Sequence, residues 1–207
     1  MRTIKQPEVR KNEILDAAEK LFVEKGFDKT TVNDILGTLG IAKGTFYHYF
    51  KSKEEALDGI VRRRITEGLE KAKAVAADKH LSVEEKLLFA VMAQKPQNPV
   101  EEKFNAVLNE EGNSLLHQKM LSSIITELSP VLAEIVEEGI NRSIFRTDYP
   151  RESVEMLLAA ALVIFDDAYF NWTGEEQAKR MFAYICAMER TLGAAPGSLA
   201  QFATAFG

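Results

Sequence analysis

Residues 31–50 decide the fold: Thr31-Val32-Asn33-Asp34-Ile35-Leu36-Gly37-Thr38-Leu39-Gly40-Ile41-Ala42-Lys43-Gly44-Thr45-Phe46-Tyr47-His48-Tyr49-Phe50. Thr31 with Asp34 three residues on has the form of a capping box, opening a short helix through about Leu39. Gly40 then punctuates, and another short helix follows near Lys43 to Phe50. Two short helices joined by a tight glycine turn make a helix-turn-helix. Ile35, Leu36, Leu39, Ile41, Phe46 and Phe50 take the inward positions. They face a preceding helix whose apolar residues Ile14, Leu15, Ala18, Leu21 and Phe22 recur at helical spacing. Pro7 suits the first turn of that helix, and Gly26 suits a left-handed cap at its end.

Inward packing of the aromatics leaves Lys43, Thr45, Tyr47 and His48 on the outer side of the third helix. A reading helix must enter a major groove about 12 Å wide and present short polar side chains and donors there. Gly44 leaves room for close backbone approach. Tyr47, His48 and Tyr49 offer hydroxyl and ring donors to the sugar-phosphate backbone, and Lys51 and Lys53 add charge neutralisation where the next helix begins.

The run Gly40-Ile41-Ala42-Lys43-Gly44-Thr45-Phe46-Tyr47-His48-Tyr49-Phe50-Lys51-Ser52-Lys53-Glu54-Glu55-Ala56-Leu57 resembles the recognition-helix signature of the tetracycline-repressor (TetR) family. The stretches Ile14 to Phe22 and Gly26 to Val32 are similar to that family's N-terminal domain as well. The likeness covers about the first 60 residues, and beyond residue 65 only length and helix count agree. It implies that Lys43, Gly44 and Thr45 lie near base edges. Tyr47, His48, Tyr49 and Lys53 would contact phosphates, Thr31 would help from the N-terminus of the second helix, and Phe46 and Phe50 would be structural. A homodimer on a palindromic operator is implied too, most often as a repressor, released when an effector favours a spacing that no longer matches half-sites about 34 Å apart.

The remaining sequence fits an all-α protein of nine or ten helices. Residues 1–52 form the helix-turn-helix DNA-binding domain. Residues 53–207 form a larger helical effector-binding and dimerisation domain. Ser52 with Glu55 reads as a further capping box, starting a long helix to about Ala77. Turn signals suggest helices near 82–94, 99–110, 114–141, 151–173 and 175–192, with a short last one over 199–206 where Leu199, Phe202, Ala203 and Phe206 share a face. Residues 1–64 carry a net charge of +3 and residues 65–207 one of −8, within a total of −5. A basic segment on an acidic body fits a small nucleic-acid module joined to a domain with another task.

Helix 151–173 contains the ten-residue apolar run Met156 to Phe165, which reads as buried on every side. Helix 175–192 places Ala178, Met181, Phe182, Ile185, Cys186, Glu189 and Leu192 on one stripe. The resemblance suggests that these two helices form a four-helix bundle with their copies in a second subunit. Candidate effector contacts are Phe89, Met92, Phe104, Leu108, Met120 and Phe165, with His117 and Asp166 as polar partners, a mixture suited to an adaptable apolar site.

Enzyme chemistry finds little support. His48, His80 and His117 lack metal-ligand spacing, and GxSxG, Walker and GxGxxG patterns are absent, so neither a metal nor a cofactor is expected. Cys186 is the lone cysteine. It rules out an intramolecular disulfide and reads as a small buried hydrophobe. The apolar run is well short of the roughly 20 residues of a membrane span, and no secretory signal pattern opens the chain, so a cytoplasmic protein is expected. The competing reading is a DNA-binding regulator or architectural module with no small-molecule effector.

Overall fold

The computed structural model describes residues 6–109 and 111–206, except the side chains of Glu111 and of residues 204–206. Glu110 and the Phe206 side chain therefore lie outside the described residues. The helices are α1 (Pro7–Lys25), α2 (Val32–Leu39), α3 (Lys43–Tyr49), α4 (Lys53–Ala77), α5 (Val83–Met92), α6 (Pro99–Leu108), α7 (Ser114–Asn141), α8 (Pro150–Ile164), α9 (Gly174–Leu192) and α10 (Gln201–Phe206). A single 3-10 turn, Glu111–Asn113, precedes α7. No strand occurs among the described residues, and the all-α expectation holds.

Local chemistry explains the starts. Proline occupies the first turn of α1, α6 and α8, where its missing N–H costs nothing. Ser82 with Glu85 and Thr173 with Glu176 close reciprocal capping boxes on α5 and α9. The Asn98 carboxamide accepts from the N–H groups of Val100 and Glu101 at the start of α6. Ser52 accepts from Glu55 N–H as expected, but the Glu55 carboxylate reaches back to Lys51 N–H rather than closing the box on Ser52.

The chain divides into two compact units. One takes the residues up to Arg64 together with Pro96–Met120, and the other takes Ile65–Lys95 and Leu121–Gly207. In the first unit, α1 packs against α2 and α6, and α3 packs against α2. Its core holds Ile14, Leu15, Phe22, Ile35, Phe46, Phe50, Leu57, Ile60, Phe104 and Leu108, all buried. Arg63 binds Asp16 at 2.6 Å and Glu19 at 2.8 Å, so α4 is tied to α1 by charge as well as by packing. Arg64 joins Glu19 and covers the Phe104 ring at 4.3 Å, which holds α6 to the same face.

In the second unit, α9 packs against α8 and α10, and α10 also touches α5. Lys86 is buried and donates to Glu138 at 2.7 Å, linking α5 to α7. Buried Glu189 accepts the Leu199 N–H at 3.1 Å and so draws the final segment onto α9.

Three expectations need correction here. The helix expected over 151–173 stops at Ile164. Asp166 turns the chain by accepting Ala168 N–H at 2.9 Å, and the Trp172 indole N–H caps the Ile164 carbonyl at 2.8 Å. A carboxylate that bonds its own backbone competes with the helix ladder, and here it wins. The run Met156 to Phe165 is not covered on every side within the chain: Leu158 is buried, while Met156 is 62% and Val163 41% exposed. Cys186 is exposed, because the buried stripe of α9 runs through Met181, Ile185, Met188, Glu189 and Leu192. Ala178, Phe182 and Cys186 stand to one side of that stripe, and all three are exposed.

Candidate nucleic-acid interface

The helix-turn-helix is assembled from its corners. After α1, Gly26 takes φ 83° and ψ 154°, a positive φ as expected but outside the left-handed helical region. Thr30, buried, closes this corner by donating its hydroxyl to the Gly26 carbonyl at 2.8 Å and the Leu21 carbonyl at 3.2 Å. Thr31 then caps α2: it accepts from Asp34 N–H, while its own N–H and hydroxyl donate to the Asp34 carboxylate at 2.8 and 2.6 Å. Lys25 reaches the same carboxylate at 2.9 Å. Hydrogen bonds from Thr31 first, and then from Lys25, hold Asp34 well below the usual carboxylate range. Gly40 takes a left-handed φ of 61° to turn into α3, a conformation that costs a glycine no steric strain.

On α3 the partition follows the sequence reading except at Thr45, which is half-buried rather than on the outer side. Phe46 and Phe50 are buried, with ring centroids 5.9 Å apart. Lys43, Gly44, Tyr47 and His48 are exposed, and Thr45 and Tyr49 are half-buried. A Cβ built on Gly44 meets nothing within 4 Å, so the backbone there is open to close approach. The Lys43 ammonium lies 5.8 Å from the Tyr47 ring centroid, and His48 meets Tyr49 edge-on at 4.9 Å. Polar tips therefore stand on an aromatic platform whose inner rings are fixed in the core.

Two residues are committed elsewhere. The Thr31 hydroxyl serves the cap of α2, and the half-buried Lys53 ammonium donates to the Phe27 carbonyl at 2.8 Å. The sequence reading missed the roles of Thr30, Arg63 and Arg64. Arg63 and Arg64 act through contacts more than forty residues away, which periodicity does not report, and Thr30 acts through a turn-closing hydroxyl that no apolar spacing marks.

The candidate effector residues fall into both units. Phe104, Leu108 and His117 are buried in the first unit and Met120 is half-buried there. Phe89 is 41% exposed in the second unit. Met92, Phe165 and Asp166 are half-buried there, and Phe165 meets Tyr184 edge-on at 5.7 Å. Burial pushes the Tyr184 phenol up, and its O–H donates to the Leu157 carbonyl at 3.0 Å. Among the described residues no group of three or more His, Cys, Asp or Glu side chains is placed to hold a metal ion. None of the described helices is long and apolar enough to cross a membrane.

Comparison with known proteins places this geometry. The helix-turn-helix repressor KstR2 of Rhodococcus jostii (strain RHA1) is 28% identical over 144 residues, 67% of this chain and 69% of that protein. KstR2 of Mycolicibacterium smegmatis is 42% identical over 60 residues, 29% of either chain. A transcriptional regulator of the TetR/AcrR family from Thermobifida fusca YX-ER1 shares the fold with a TM-score of 0.61 at 24% identity, over 92% of this chain and 98% of that one. The pattern described as bacterial regulatory proteins, tetR family, matches residues 14–59, and that described as tetracyclin repressor-like, C-terminal domain, matches residues 97–189. Carrying the reading head at its start and the partner domain after it, the chain belongs to the tetR family of bacterial transcriptional regulators.

Proposed function

We propose that this regulator binds a palindromic operator as a homodimer, represses transcription there, and is released by a small apolar or amphipathic effector. The observation that carries the DNA reading is the split of α3 into two faces. Phe46 and Phe50 anchor it, while Lys43, Gly44, Tyr47 and His48 stand exposed beside half-buried Thr45 and Tyr49. Lys43, Gly44 and Thr45 lie at the start of the helix and read base edges; Tyr47, His48 and Tyr49 hold phosphates, helped by the N-terminal end of α2 at Thr31. Residues 1–52 act as the DNA-binding domain and 53–207 as the effector and dimer domain. The protein works in the cytoplasm and carries out no catalytic step.

Pairing is supported by the apolar residues that α8 exposes, Met156 and Val163, and those that α9 exposes, Ala178, Phe182 and Cys186. An isologous contact through such residues buries each of them twice. The effector reading is supported by the match of residues 97–189 to a tetracyclin repressor-like C-terminal domain. Phe89, Met92, Phe104, Leu108, His117, Met120, Phe165 and Asp166 are its candidate contacts.

Selection of bound duplexes from a random pool tests the reading directly. A palindromic consensus is expected, Tyr47→Ala should weaken all duplexes alike, and Lys43→Ala or Thr45→Ala should change which sequence is preferred. Absence of preference for any duplex over a scrambled competitor would refute it. Release assays with a metabolite and drug library then separate an effector-controlled repressor from a regulator without an effector.

A further inference from the structure

Lys53 opens α4 at the position where the sequence suggests a phosphate contact. Its ammonium is instead turned back onto the protein. It donates to the Phe27 carbonyl at 2.8 Å and to the Asp28 carbonyl at 3.3 Å, and it lies 4.3 Å from the centroid of the Phe27 ring. An ammonium has three donors, and two of them are committed to backbone far away in sequence. The charge faces the electron-rich side of a ring.

The carbonyls belong to the corner between α1 and α2, which is held together from within. Phe27 is buried and meets Phe22 edge-on at 5.1 Å. The Phe27 carbonyl also accepts Thr30 N–H at 3.2 Å, and the Thr30 hydroxyl grips Gly26 and Leu21. The next residue, Thr31, is the N-cap of α2, and α3 packs on α2. Lys53 thus ties the first turn of α4 to the corner from which the two reading helices depart.

Resting on the DNA-binding reading above, we infer that Lys53 is a positioning residue for DNA recognition: it fixes the corner at residues 27–31 against α4, and so sets the angle at which α2 and α3 are presented, rather than neutralising a phosphate. The exposed Lys51, two residues earlier, takes the phosphate role.

Lys53→Met keeps an unbranched stem over the Phe27 ring and removes the donors and the charge. Two measurements on the full chain decide the matter: operator affinity across a salt series, and amide exchange of residues 27–31 in the protein without DNA. We expect affinity to fall on the order of tenfold, with the dependence of log affinity on log salt unchanged. The corner amides should exchange faster even in the free protein. Lys53→Arg, which keeps a cation and donors for both carbonyls, is expected to recover most of the affinity. Lys51→Met should make the salt dependence shallower by about one unit, with corner exchange unaltered.

A salt dependence made shallower by about one unit in Lys53→Met would overturn the inference. So would unaltered corner exchange, an unchanged affinity, or failure of arginine to recover binding. If the unsubstituted protein preferred no duplex, the DNA-binding reading would fall. The exchange comparison would still decide whether Lys53 holds the corner.

Discussion

Replacing Phe182 by serine is expected to break self-association while leaving the fold of each subunit intact. Phe182 is 63% exposed on α9, one helical turn from exposed Ala178 and Cys186, and the neighbouring α8 exposes Met156 and Val163 at 62% and 41%. The two helices are fixed to one another by the Tyr184 O–H on the Leu157 carbonyl at 3.0 Å and the edge-on pair Phe165–Tyr184. The outward face is therefore a preformed surface. A phenylalanine buries about 200 Å² when fully covered. Taking 63% of that at about 25 cal/mol per Å² gives about 3 kcal/mol for the part still exposed. Two-fold symmetry counts the residue twice. Even half-complete coverage leaves about 3 kcal/mol per dimer, and full coverage about 6, which weakens the dimer constant by roughly two to four powers of ten. Sedimentation equilibrium across the micromolar range reads this directly, with far-UV helicity and the melting curve checking that the subunit stays folded. If Phe182→Ser associates as well as the unsubstituted chain does, or if the latter is a monomer throughout that range, the reasoning is wrong.

Thr31→Ala removes the hydroxyl that accepts Asp34 N–H and donates to the Asp34 carboxylate, leaving only the backbone N–H of residue 31 on that carboxylate, and should lower stability by about 0.5–2 kcal/mol, read as a reduced urea midpoint. Because Asp34 is held below its ordinary value of 3.8 in the folded protein, its contribution is complete above that pH and fades as acid protonates it. Asp34→Asn should accordingly flatten the fall in melting temperature between about pH 5 and pH 2. Gly139→Ala would put a methyl 2.3 Å from a ring carbon of buried Phe145, an overpacking expected to cost about 1–3 kcal/mol in urea unfolding. Glu138→Ala strands the buried Lys86 ammonium, now 2.7 Å from its carboxylate, and should destabilise more than Lys86→Met in the same measurement; the reverse order would refute the pairing argument.

What the sequence revealed and what it hid follow one physical line. A helix start is often written in two to four adjacent residues, so the box at Thr31 and the proline in the first turn of α1 were legible; the boxes at Ser82 and Thr173 carry the same local signal but were not read from the sequence, while the box read at Ser52 does not close. The inward aromatics Phe46 and Phe50 were legible too, because helical spacing assigns them a face. The end of α8 was not, since the Trp172 side chain that caps it comes from beyond the turn. Cys186 was misplaced because a stripe of apolar residues on α9 is wider than the face one chain buries. Periodicity cannot separate a core face from a pairing face.

Charge shows the same limit, and it yields a quantity that can be measured. Counting every cation of residues 1–64 would suggest a strongly salt-sensitive DNA complex. Yet Arg10, Lys25, Arg62, Arg63 and Arg64 are already paired with Glu13, Asp34, Asp58, Asp16 and Glu19, and Lys53 is committed to backbone carbonyls. Around the helix-turn-helix, the exposed lysines without such commitments among the described residues are Lys29, Lys43 and Lys51. Two or three phosphates neutralised per subunit make about four to six per dimer, and each contributes about −0.9 to the slope of log affinity against log salt. A slope of about −4 to −5 is expected. A slope near −10 would require cations beyond these three in each subunit, and one near −1 would mean that α3 does not lie against the phosphate backbone at all.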